Sequence, residues 1–259
     1  MLKIRIIPTL LWKEVGLVKG IGFDSWRRVG TVMPSIKVYN TRQVDELILV
    51  DITATAENRM PDIDSINDFS AECFVPLTVG GGVRRVEDII NLLRAGADKV
   101  CINSSAYENP GLIRDAANRL GSQCIIASID ARRKENGDHE CFSHCGSRAT
   151  GKDPALWAQE MERLGAGEIL ITSIDRDGTM QGYDLDLIKK VTDCVTIPVI
   201  ASGGAGNYEH MYEAISISKA NAVAAASIYH FTQQTPMEAK QFLSSRGIPM
   251  RNVNVRHGL

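Results

Sequence analysis

The stretch Val75–Arg84, VPLTVGGGVR, returns as Ile197–Gly206, IPVIASGGAG. In both copies a short apolar run breaks into glycines. Apolar runs without polar alternation are what strands buried on both faces require. Glycines at their ends let the backbone turn sharply and let N–H groups approach an anion. A second pair, LILVDITAT at Leu47–Thr55 and ILITSIDRDGT at Ile169–Thr179, repeats at the same separation of roughly 120 residues. The chain therefore reads as two similar half-barrels. Paired glycine turns on opposite sides of one opening would suit a ligand with a phosphate at each end.

Eight apolar runs of this kind are legible along the chain: IRIIPTLL, ELILVDITA, VPLTVGGG, KVCINSS, CIIASIDA, EILITSIDRDG, IPVIASGGA and AVAAASIY. Eight is the number of a closed α/β barrel. Amphipathic stretches such as Val86–Ala95 and Pro154–Leu164 separate them, each closely followed by a glycine suited to ending a helix. An open doubly wound sheet alternates in the same way but gathers its special residues at one switch point. Here run after run ends in polar or glycine residues: Asp51, Gly80 to Gly82, Asn103, Asp130, Asp177, Gly203 and Gly204. One shared mouth follows, and the expected architecture is a single (β/α)8 TIM barrel spanning residues 1–259.

The 259 residues, 44% hydrophobic and 23% charged, suffice for a buried core in one domain. With 29 basic against 31 acidic residues there is no basic excess, so neither nucleic acid nor anionic membrane is an expected partner. The first twenty residues carry Lys3, Arg5 and Lys13 and no long apolar run, which predicts a cytoplasmic protein without signal peptide or membrane span. Cys73, Cys101, Cys124 and Cys194 lie in or beside apolar segments and read as core thiols. HECFSHC, His139–Cys145, is the one place where zinc merits thought. Its spacing lacks a second ligand pair, it follows a turn, and it alternates like a hairpin strand, so no metal is expected. No cofactor is expected either.

The ordered motifs RIIPTLL, LVKG, VDELILVDITAT, TVGGGVR, GADKVCINSSAYENP, GSQCIIASIDA, GAGEILITSIDRDGT, IPVIASGGAG and AAASIYHF run over essentially the whole chain. Through them the chain closely resembles the cyclase subunit of imidazole glycerol phosphate synthase. The resemblance implies a lyase-type cyclase subunit of a glutamine amidotransferase complex. In that family a glutaminase subunit docks on the N-terminal face of the barrel. Ammonia then crosses the barrel to attack a bisphosphorylated ribulosyl intermediate at the mouth.

Carried over by position, the family's second acid/base carboxylate is Asp130. Its substrate contacts fall on Lys19 in a mobile first loop, and on Asp51, Asn103, Thr172 and Asp177. Its two phosphate cradles fall on Gly82 and Ser104, and on Gly178, Gly204 and Ser227. The resemblance also implies a salt-bridged ammonia gate made by Arg5, Glu46, Lys99 and Glu168. Each of the four begins or immediately precedes a strand, on alternate strands. Asp98 matches a family contact to the glutaminase.

The central departure is Leu11, where the family has its first catalytic aspartate. A leucine moves no proton, and the cyclisation asks for paired carboxylates. Glu14 lies three residues on, in the loop. The loop after Lys19 reads VGTVMPS, where the family usually has Gly-Asp-Pro. Three readings follow. The first is a paralogue that channels ammonia to another acceptor, with a third amidotransferase protein amidating or amidinating a sugar in surface-polysaccharide biosynthesis. The second is an authentic cyclase of histidine biosynthesis. The third is a non-catalytic phosphate-binding scaffold.

Overall fold

The computed structural model describes residues 3–251. Its strands are β1 (Arg5–Lys13), β2 (Gly16–Ile21), β3 (Asp24–Gly30), β4 (Leu47–Asp51), β5 (Leu77–Gly80), β6 (Lys99–Ile102), β7 (Ile125–Arg133), β8 (His139–Ser143), β9 (Arg148–Ala149), β10 (Glu168–Ser173), β11 (Val199–Ser202) and β12 (Ala222–Ala225). Eight of them pair in parallel in the order β1, β4, β5, β6, β7, β10, β11, β12, and β12 returns to β1. This is the closed (β/α)8 barrel that the eight apolar runs predict, one strand per run.

Two layers of apolar packing result. Inside the barrel, Ile7, Ile48, Cys101, Ile126, Leu170, Ile200, Ala222 and Ala224 form a small buried cluster. Outside it, the opposite strand faces pack against the helices, with Ile6, Leu49, Val100, Ile169 and Val223 fully or almost fully enclosed. Strand residues alternate between these layers because the pleat has period two. The helices start where the sequence supplies caps. Asp153 accepts from the N–H groups of Ala155 and Leu156 and is followed by Pro154, while Thr235 and Glu238 form a capping box at the last helix, Pro236–Ser245. That helix is fastened to the barrel by buried Lys240, which donates to Asp45 Oδ1 at 2.6 Å and to the Gln43 carbonyl.

The half-barrel repeat is visible in three dimensions. The first and fifth barrel strands, β1 and β7, each continue into an antiparallel hairpin, β2–β3 and β8–β9 respectively. Glycine turns follow the third and seventh strands, and short helices, Ser104–Glu108 and Ser227–Phe231, follow the fourth and eighth. The β8 strand is the hairpin expected of HECFSHC. The first loop, which carries Lys19, is the β2–β3 hairpin, in which Leu17, Val18 and Lys19 are buried on β2 and β2 pairs with β1 and β3.

The thiols divide by burial. Cys101 and also Cys141 are buried, whereas Cys73, Cys124 and Cys194 are only half-buried at the helix layer. Among the described residues no helix is long and apolar enough to cross a membrane.

Candidate functional site

All the C-terminal strand ends open into one cavity of about 270 Å³. Lys19, Asp51, Asn103, Asp130, Thr172 and Asp177 line it, as do Gly82, Ser104, Gly178, Gly204 and Ser227. Every mouth residue expected from the sequence is thus brought to one place, and Leu11 lines the same wall. Leu11 sits on β1 opposite Val50 of β4, on the inward-facing register of Ile7 and Thr9.

At the centre, Asn103 Nδ2 donates to Asp130 Oδ2 at 2.9 Å. Enclosure by the barrel pushes the Asp130 carboxyl up to about 7, and the nearby Asp177 carboxylate adds to the rise against a hydrogen bond from Thr172. A carboxyl that titrates near neutrality is suited to giving and taking protons at physiological pH. Asp177 is itself raised by burial, partly offset by Lys19, whose buried ammonium is ion-paired to it. His230 is pushed down to about 4 by burial and by Lys19, so its imidazole is neutral.

The position of Asp130 has a measurable consequence. Its folded pKa lies above that of the unfolded chain, so folding takes up a proton between about pH 4 and about 7. The stability it allows is fully present below the lower value and lost as pH rises through the upper. Asp130→Asn is therefore expected to melt higher than wild type at pH 8 and level with it at pH 4. Thermal melts across that range check this, and an equal offset at both ends would refute it.

Asp51 has a different occupation from the one its strand-end position suggests. Its Oδ1 accepts from the N–H groups of Thr53 and Ala54 at 3.0 and 3.1 Å, and Oδ2 receives Arg59 Nη1 at 2.5 Å. Both oxygens are thereby engaged in organising their own loop. The glycine turns exclude side chains: Gly81 at φ +105, for example, lies against the Asp51 backbone, and Gly204 at φ +110 against the Gly182 carbonyl. At both turns the backbone packs so closely that only glycine fits, on either side of the mouth. Ser227 Oγ is buried there without a hydrogen-bond partner among the described residues.

Arg84, Glu108, His144 and Cys145, which sequence reading did not assign to the mouth, also line the cavity. Arg84 had a signal, standing directly after the glycine run. His144 and Cys145 stood out only as possible zinc ligands in HECFSHC, because it is the β8–β9 hairpin that carries them over the mouth. There His144, Cys145 and Gly146 take successive left-handed conformations, at φ +52, +53 and +77. Each non-glycine residue so placed costs roughly 1–2 kcal/mol.

At the opposite, N-terminal end the four expected charges meet. Arg5 contacts Glu46 and Glu168, both at 2.8 Å, and Lys99 contacts the same two carboxylates at 3.0 and 2.7 Å. Each cation thus bridges both anions. Burial opposes ionisation of Glu168, but Arg5 and Lys99 outweigh it and hold the carboxyl below its usual range. Burial likewise opposes the Arg5 charge, and the two glutamates overcome it, raising Arg5.

One correction concerns spacing. Glu46, Lys99 and Glu168 stand at the second, fourth and sixth barrel strands, but Arg5 is on the first, adjacent to the second. The position on the eighth strand level with Arg5 is Ala222, which carries no charge. Asp98, beside the ring, is exposed and accepts from the Leu77 N–H at 2.8 Å. The cavity descends to Cys101, Leu170 and Ala224. On β6 and β10 these levels are two residues above Lys99 and Glu168, about 6–7 Å at strand rise.

One barrel thus carries a polar mouth, a central carboxyl and a closed ring of charges at the far end. A family model described as Histidine biosynthesis protein matches residues 5–235, which include all eight barrel strands, and the chain belongs to that family.

Proposed function

We propose that this protein is an ammonia-conducting barrel that works with a glutaminase subunit, binds a phosphorylated small molecule at its mouth, and has left the cyclisation of its relatives. The family holds isomerase and cyclase enzymes of histidine biosynthesis. The observation that carries the proposal is the complete four-charge ring beneath a mouth in which Leu11 stands where a proton-transferring group would be needed.

Free ammonia is largely protonated near neutral pH, and ammonium has no lone pair with which to attack. A closed path that delivers the neutral form therefore has chemical value. Charges buried near a barrel axis are tolerated when paired, and here each can part from one partner while keeping another. Exposed Phe74 and Asp98 lie on the same end of the barrel as the ring and suit a protein partner. The acceptor of the ammonia would be a third protein that amidates or amidinates a sugar in surface-polysaccharide biosynthesis. The competing reading, a working cyclase of histidine biosynthesis, draws support from Asp130, whose carboxyl titrates near neutrality. Leu11 weighs against it.

The test separates delivery from chemistry. A glutaminase subunit is expected to co-purify with the barrel. In that complex Lys99→Ala is expected to lower product formation from glutamine by about tenfold, the loss of roughly 1.4 kcal/mol of ordering, while formation from added ammonium salt stays within about twofold. Equal loss from both nitrogen sources, or no glutaminase partner under any condition, would show the ring to be structural.

A further inference from the structure

We infer that Thr9, Ser128 and Ser202 form a holding site for one molecule of neutral ammonia at the floor of the mouth. The inference rests on the proposed reading of the barrel as an ammonia conductor and adds where the nitrogen waits and in which protonation state.

A closed eight-stranded barrel is filled by layers of four side chains taken from alternate strands, ordinarily bulky Val, Ile or Leu. Stepping two residues down from the mouth positions gives one such layer. Thr9 lies two before Leu11, Ser128 two before Asp130 and Ser202 two before Gly204, on the first, fifth and seventh barrel strands. The fourth member, on the third strand, is Gly80, where no Cβ fits because Cys101 Sγ fills the place. This layer is therefore small where barrels are usually full. The cavity reaches it and continues below: Thr9, Ser128 and Ser202 line it, as do Cys101, Leu170 and Ala224. The last three, with Ile48, make the next layer on the even strands, and that layer is apolar.

Three hydroxyls thus stand over an apolar floor, and neither layer contributes an ionised side chain. Ser128 and Ser202 are half-buried and open to the cavity. Thr9 Oγ1 is enclosed with no hydrogen-bond partner among the described residues, although buried hydroxyls are ordinarily paired.

The chemistry of a hydroxyl selects the occupant. It donates one hydrogen bond and accepts others. Neutral ammonia complements it, accepting through its lone pair and donating through its N–H groups. Ammonium has no lone pair and would need a carboxylate to offset its desolvation, which this layer does not supply. Ammonia that has passed the ring of charges and the apolar layer meets these hydroxyls first. Asp130 stands two residues above Ser128, about 6–7 Å at strand rise.

Hydroxylamine is the probe, since it is uncharged at neutral pH, carries an ammonia-like nitrogen, and has an N–O pair whose density differs from that of a water molecule. Crystals of the barrel soaked in hydroxylamine are expected to show it within hydrogen-bond distance of at least two of the three hydroxyls. Thr9→Val keeps the shape and removes an unpaired buried hydroxyl, so the fold is retained, and a thermal melt verifies it. Across a soak series, the concentration for half occupancy is expected to rise about fivefold in Thr9→Val, the worth of one hydrogen bond. In the double variant Ser128→Ala, Ser202→Ala it is expected to rise about thirtyfold, the worth of two. A wild-type floor that shows only single-atom water peaks, hydroxylamine bound only at Asp130, or variants with unchanged half occupancy would overturn the inference. Each of these outcomes leaves the ring of charges standing, because that reading is decided by the comparison of glutamine with ammonium salt.

Discussion

Leu11→Asp is expected to raise ammonia-dependent turnover of the bisphosphorylated ribulosyl intermediate by about 10²- to 10⁴-fold, the usual worth of one acid or base. The new carboxylate would stand on the inward register of β1, in the wall that already holds Asp130. Asp130 is oriented by Asn103 and titrates near neutrality, so one half of the proton-transfer machinery is in place. A carboxylate added at position 11 would also repel Asp130 and Asp177 and push their pKa values further up. The measurement is steady-state turnover with ammonium salt, accompanied by a melt and a ligand titration. A folded variant that binds and gains nothing would mean that the altered first-loop hairpin has also abandoned the old chemistry. Robust turnover by wild type would refute the divergence from the cyclases outright.

Lys240→Ala is expected to destabilise the fold by about 3–5 kcal/mol, because it leaves the buried Asp45 carboxylate without its cation. Asp45 is 1% exposed and Lys240 4%, so the pair is shielded from solvent. The pair joins the last helix to the start of the barrel, where Asp45 Oδ2 also receives the Ile6 N–H at 2.9 Å. Denaturant unfolding of Lys240→Ala, Asp45→Asn and the double variant gives the coupling directly. The double variant should lose much less than the two single losses added. Additive losses, or a single loss under about 1 kcal/mol, would show the pair to be incidental.

The two experiments probe opposite ends of the barrel, and the ends differ in how they were encoded. The mouth is largely a matter of strand-end positions. Once a run ends in Asn103, Asp130 or Thr172, the pleat and barrel closure determine that the residue faces the opening. Asp51 shows the limit of that logic. It is at a strand end and lines the cavity, but its oxygens are consumed by Thr53, Ala54 and Arg59, partners whose loop path no periodicity describes.

The eight strands, the half-barrel repeat and the common mouth were legible in the residues alone, because these follow from local patterns of apolar runs, glycine turns and strand-end polar residues. Resemblance to a known family marked the four charges of the ring, and periodicity could not say that Arg5 and Glu46 sit on neighbouring strands. That each cation bridges both carboxylates, that Lys19 is buried against Asp177, and that the His144 N–H meets Ser104 from a left-handed turn became visible with the folded barrel. The reason is physical: strand direction and side-chain alternation are set by neighbours along the chain, whereas ion pairs and loop crossings join residues as far apart as Arg5 and Glu168, which nothing short of the closed barrel brings together.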